Sequence, residues 1–158
     1  MTVEPIDPPE PGTEDWGDDL NTYLEYLEGR IATLEAKPQY VYNSYAWLYN
    51  NGVPPATGSG VNNQVRLDNV DLTQATLIDI RKIDADGADR TPVFQQLTAG
   101  SIIRINDWDN AASLHRFDVT GAPMMDATNV QIPVAWESGG GVIPNAKVNV
   151  AFLIALTL

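Results

Sequence analysis

Five apolar residues, Leu20, Leu24, Leu27, Ile31 and Leu34, are spaced 4, 3, 4 and 3 apart, and this restricts the N-terminal part of the chain to one kind of structure. The spacing is the d, a, d, a, d alternation of a heptad repeat, which on a helix makes one narrow apolar seam. Start and stop signals bracket it. Thr13 can serve as N-cap, Glu14, Asp15, Asp18 and Asp19 complement the positive end of the helix dipole, Lys37 falls in the last turn and Pro38 stops the helix. The expected coiled-coil helix covers residues 13–37. By itself such a helix gains too little from hydrogen bonding to offset its ordering entropy, so the seam needs a cover. Either another copy of the helix or the chain's own downstream domain would serve. The polar flanks Asn21, Glu25, Glu28 and Glu35 keep the stripe narrow, which favours another copy.

The same register puts Arg30 at g, Ile31 at a, Leu34 at d and Glu35 at e. Arg30 and Glu35 can then pair between neighbouring helices while the Arg stem lies along the seam. The run Arg30-Ile31-Ala32-Thr33-Leu34-Glu35 resembles the short trimerisation motif of many parallel three-stranded coiled coils, and the resemblance implies three chains. Leu20, Leu24, Leu27, Arg30, Ile31, Leu34 and Glu35 are the expected trimerisation residues.

Ahead of the helix, residues 1–12 contain Pro5, Pro8, Pro9 and Pro11 among Glu4, Asp7 and Glu10, a composition that favours extended polyproline geometry. It reads as an arm: a loose tail, or a strap in a groove of another protein with Val3 and Ile6 as anchors. The start of the chain lacks the basic and apolar regions of a secretory signal, and no stretch approaches the roughly 20 apolar residues that span a bilayer. A soluble protein is expected. The net charge of −12 leaves no clustered Lys and Arg for a phosphate backbone or an anionic bilayer, so neither nucleic acid nor membrane is an expected partner. With no cysteine, thiol chemistry, disulfides and Cys-based zinc sites are all excluded.

After Pro38 the helical period disappears. Strand patterns are found at residues 40–49, 64–68, 76–83, 91–97, 101–106, 114–119, 130–136 and 147–157. They are separated by turn signals such as Asn51-Gly52, Asp86-Gly87, Ala99-Gly100, Asp109-Asn110 and Gly139-Gly140-Gly141. Eight short strands with such turns predict a mainly β domain over residues 38–158, an antiparallel β-sandwich or a jelly-roll-like fold. The last strand, with apolar residues on both faces, is expected to be buried on both sides.

Catalytic signals are weak. His115, the only histidine, is expected to face solvent on a strand, and no Gly-x-Ser-x-Gly elbow accompanies it. Asp84, Asp86 and Asp89 around Gly87 have the oxygen chemistry of a calcium loop but the wrong spacing, and a hairpin turn accounts for them. Asp107, Asp109 and Glu137 could form a glycosidase carboxylate pair only if the fold brought them together, and acidic turn residues are the simpler reading. No phosphate loop or dinucleotide fingerprint is present, so no cofactor or metal is expected and the protein reads as a non-enzyme. Tyr40, Tyr42, Tyr45, Trp47 and Tyr49 suit either packing between β-domains at the end of the coiled coil or stacking on sugars. Trp108, between Asp107 and Asp109 in a loop, is a candidate recognition residue.

The order of arm, short coiled coil and turn-rich β-domain resembles the short fibre, decoration and minor tail proteins of tailed bacteriophages. Glu14-Asp15-Trp16-Gly17-Asp18-Asp19-Leu20 leading into residues 30–35 carries the resemblance, together with the β-segment from Asn62 to Val134. It implies a homotrimeric virion protein, made in the host cytoplasm, attached to other virion proteins by its arm and helix, with the β-domain projecting outward. A host surface glycan is the further partner this class suggests.

Overall fold

The computed structural model describes residues 16–35, 39–52 and 63–156, and the chain divides into two compact units, residues 1–38 and 39–158. In the first unit, α1 (Trp16–Glu35) is a helix of 20 residues that contains the heptad-spaced positions from Leu20 to Leu34. The expected cap Thr13 and the last-turn Lys37 lie outside the described residues.

The second unit contains β1 (Tyr40–Tyr49), β2 (Gln64–Leu67), β3 (Leu77–Arg81), α2 (Thr91–Phe94), β4 (Ile102–Asp107), β5 (Leu114–Val119), β6 (Met124–Met125), β7 (Asn129–Gly140) and β8 (Lys147–Ala155). The strands pair in the order β3-β2-β1-β8-β4-β5-β7, and β7 pairs back onto β3, so seven strands close into a barrel. β6 adds a short ladder to β7 at Gln131 and Val130.

The mainly β expectation holds; the two-layer sandwich or jelly roll gives way to closure. The physical reason is the length of β7. Its first part pairs with β3 from Asn129 to Pro133, and its second part pairs with β5 from Val134 to Gly140. One long strand thus closes the sheet on itself and removes both free edges. Sequence patterning ended this strand at Trp136 and read the glycine run as a turn, which hid the second half. The pairing is also not wholly antiparallel: β1 and β2 run parallel over Leu48↔Gln64 and Tyr49↔Val65.

Alternation fills the interior. From β1 come Trp47 and Tyr49, from β3 Ile78 and Ile80, from β4 Ile103 and Ile105, from β7 Val130 and Ile132, and from β8 Val148, Val150, Phe152 and Ile154, all buried. A barrel of this strand number is just wide enough for side chains to fill. Each fully buried aliphatic or aromatic side chain contributes about 1.5–3 kcal/mol relative to exposure. At the centre Trp47, Phe94 and Phe152 meet with ring centroids 5.6–6.2 Å apart. On β8 the opposite face is mixed, with Ala151 buried and Leu153 half-buried, so the last strand is covered fully on its inner face only.

Phe94 arrives from α2, where a strand over 91–97 was expected. Thr91 donates its N–H (2.8 Å) and hydroxyl (2.6 Å) to the Asp89 carboxylate, and Pro92 occupies the first helical turn, where a missing N–H costs nothing. Val93 and Phe94 are both buried although adjacent, which a helical turn permits and a half-buried strand does not.

Candidate functional site

Two features are candidates for a functional site, one in each unit. On α1, Leu20 and Leu27 are half-buried, while Leu24 and Ile31 remain 46% and 52% exposed. The seam read from the sequence is therefore open to solvent at its two described a positions. Arg30 rests on the preceding turn: its Nη1 donates to the Tyr26 hydroxyl at 3.0 Å and its guanidinium lies 5.9 Å from the Tyr26 ring centroid. Tyr23 stacks on Tyr26, with centroids 6.5 Å apart. Leu34 and Glu35 belong to the helix, but their side chains lie outside the described residues, as do the arm anchors Val3 and Ile6.

The second feature is a groove of about 440 Å³ on the barrel, lined by Ser44, Tyr45, Ala46, Asp86, Asn106, Trp108 and Asn149. Strand register builds its floor. Because the inward residues of β1, β8 and β4 include Trp47, Val148 and Ile105, their neighbours Ala46, Asn149 and Asn106 must point outward, and the pairings Ala46↔Asn149 and Asn106↔Asn149 set them side by side. A hydrogen-bonded relay crosses this row. The Ser44 hydroxyl donates to Asn149 Oδ1 (2.5 Å), Asn149 Nδ2 donates to Asn106 Oδ1 (3.3 Å), and Asn106 Nδ2 donates to the Asp107 carbonyl (3.0 Å).

One wall is the loop from Asp84 to Arg90. It is docked by the Ala85 N–H, which donates to the Ala46 carbonyl at 2.8 Å, and organised by the fully buried Asp84 carboxylate. That carboxylate accepts from the N–H groups of Asp86 (3.0 Å) and Ala88 (2.9 Å) and from Arg90 Nε (2.6 Å), and Arg90 Nη2 forms an ion pair with it at 2.6 Å. Burial alone would raise the Asp84 pKa, but the Ala88 N–H and the Arg90 guanidinium outweigh it and hold the carboxyl below its usual range. Arg90 in turn lies over the Tyr45 ring, 3.8 Å from its centroid. The loop thus serves as a rigid turn, as the sequence suggested, and it holds Asp86 over the groove.

The opposite wall is Trp108, in the loop after β4 and 51% exposed. The Lys147 ammonium sits 4.2 Å from its ring centroid and 3.8 Å from the Asp86 carboxylate, so the cation links the two walls. Of the residues around this groove, sequence reasoning named Trp108, Tyr45 and Asp86. It missed Ser44, Ala46, Asn106 and Asn149. The available signal was Asn149, a polar residue interrupting an otherwise apolar strand.

The remaining candidates take structural places. His115, expected to face solvent, is buried: it shares the inward face of β5 with Phe117 and Val119. Trp136 Nε1 approaches His115 Nδ1 at 3.3 Å, and His115 Nε2 lies 3.1 Å from the Gly141 carbonyl, so the Nε2–H tautomer satisfies both contacts. Asp107 accepts from the Asp109 N–H at 3.2 Å within its turn, and Glu137 lies 3.3 Å from Arg116 Nε. The β1 aromatics separate: Trp47 and Tyr49 enter the core, Tyr45 is half-buried beside the groove and Tyr42 is exposed. Among the described residues no three carboxylate or histidine side chains are grouped as metal ligands, and no helix is long and apolar enough to cross a membrane.

Set against family models, curated proteins and solved structures, the chain gives no match in any of the three comparisons.

Proposed function

We propose that this chain is a non-enzymatic, homotrimeric structural protein of a tailed-phage particle, in which α1 joins three copies and the barrel is the projecting module. The observation that carries the proposal is the open seam of α1, where Leu24 and Ile31 lie exposed at the a positions of a heptad register. A 20-residue helix with one such stripe is marginal alone, and the cover that matches a heptad seam is another heptad seam. Arg30 at g, released from Tyr26, would reach Glu35 at e of a neighbour, the arrangement of the three-stranded motif that the run resembles.

Electrostatics supports attachment through the N-terminal segment. Residues 1–37 hold 10 acidic and 2 basic side chains, which is −8 of the chain's −12. Three copies in a bundle repel one another along this segment, and docking on a basic surface of the particle relieves the repulsion. The protein is expected in gradient-purified particles by mass spectrometry and should be released as NaCl rises from about 0.1 M to about 1 M, where screening shortens from roughly 10 Å to 3 Å. Absence from particles at low salt would overturn the virion assignment, and retention at high salt would remove the electrostatic part. The groove at Trp108 favours a second role for the barrel, recognition of a surface carbohydrate.

A further inference from the structure

We propose that the groove between Trp108 and Asp86 binds a neutral saccharide, one pyranose ring stacking on Trp108 and its hydroxyls bonding to the Ser44–Asn149–Asn106 row. The proposal rests on the second reading of the barrel and not on the trimer.

The ligand class follows from what the groove offers. Its floor has donors and acceptors but no formal charge. Each asparagine amide carries two N–H donors, and the relay uses one from Asn149 and one from Asn106, while the Ser44 oxygen keeps its acceptor capacity. Mixed donors and acceptors at the spacing of adjacent strands suit hydroxyl groups, which both give and accept. The charges at the rim are Asp86 and Lys147, and they face each other at 3.8 Å. With that pair compensated and the chain at −12, an anionic sugar has nothing to attract it, whereas the Asp86 carboxylate can still accept from a hydroxyl.

Trp108 supplies the apolar part. One face of the indole is engaged by the Lys147 ammonium, which fixes the ring, and the residue remains 51% exposed. A pyranose presents a face of C–H groups that needs such a surface, and an aromatic wall beside convergent polar groups is the usual composition of a small-ligand site. The groove volume of about 440 Å³ falls within the roughly 300–1,000 Å³ of such sites. One wall is preformed, since the buried Asp84 holds its loop, and Lys147 lies between that wall and Trp108.

The test is a titration of the full chain with four neutral disaccharides, cellobiose, maltose, lactose and diacetylchitobiose, with sialyllactose as anionic comparator. It is read by the side-chain amide signals of Asn106 and Asn149 and the indole N–H signal of Trp108. At least one neutral sugar is expected to move all three signals with saturation. Trp108→Ala should weaken that binding about tenfold or more and Asn149→Ala less, with thermal unfolding unchanged for the loop variant Trp108→Ala. No saturable shift with any neutral sugar, or a preference for sialyllactose, overturns the proposal. Light scattering on the same samples keeps the readings apart: a monomer that binds sugar sinks the trimer and leaves the groove standing, and a trimer that binds none does the reverse.

Discussion

Asp84→Ala should lower the stability of the barrel by about 3 kcal/mol, the cost of removing one partner from a buried, hydrogen-bonded charge pair. The carboxylate is fully buried and accepts three hydrogen bonds, two from backbone N–H groups of its own loop and one from Arg90 Nε, with Arg90 Nη2 adding an ion-pair contact to the same oxygen. Alanine leaves those N–H groups and the guanidinium of an Arg90 side chain that is three-quarters buried without their acceptor. For a domain of this size the loss corresponds to about 12 °C in midpoint at roughly 4 °C per kcal/mol. Thermal unfolding followed by circular dichroism checks it. The effect also has a pH signature. A carboxyl with a lowered folded-state pKa contributes stability that is fully present above its unfolded value of about 3.9 and disappears as pH falls through the folded value. The gap between Asp84→Ala and the native chain should therefore be constant from pH 6 upward and narrow below about pH 4. A gap that widened in acid would contradict the assignment.

Gly139→Ala should be comparably damaging, about 3 kcal/mol, while the adjacent Gly140→Ala should change stability by less than about 1 kcal/mol. Gly139 has φ +141°, and a Cβ there would stand 2.3 Å from the Leu114 carbonyl oxygen and 2.7 Å from the His115 Cα, both backbone atoms that cannot step aside. Gly140 meets nothing within 4 Å and has no positive φ. This contrast between neighbours separates a backbone clash from any general dislike of alanine in the run. The close approach has a structural return: β7 continues past its bulge to pair with β5, and the Gly141 carbonyl comes within reach of His115. Equal midpoints for the two variants would show that the glycines are interchangeable and that β7 does not depend on this contact.

Strands were legible where aromatic or β-branched residues cluster locally. Tyr40–Tyr49 and Leu114–Val119 fall where the residues placed them, and Ile102–Asp107 lies one residue beyond the expected 101–106. Closure was not legible, because it depends on which strands a long β7 meets, and no local signal reports a pairing between residues 81 and 129. His115 was misplaced although its parity was visible: it alternates with Phe117 and Val119, but among mixed apolar and polar neighbours it was read as facing solvent. The strand expected at 91–97 failed because Val93 and Phe94 are adjacent, a pattern that asks for a turn of helix around Pro92. At the groove, Trp108 stood out as a large ring in an acidic loop. Ser44, Asn106 and Asn149 did not, since they become one row only when β1, β8 and β4 come into register.

The coiled coil is read most directly from the solution mass of the full chain by light scattering, with Leu27→Asp beside it. Leu27 occupies a d position between Leu24 and Ile31, so a charge there should destroy the shared seam while leaving the separate barrel unit folded. Three chain masses of 17.2 kDa each for the native protein, falling to one for Leu27→Asp, is the predicted result. A native protein of one chain mass, or a trimer indifferent to Leu27→Asp, would contradict the seam as the device that joins the copies.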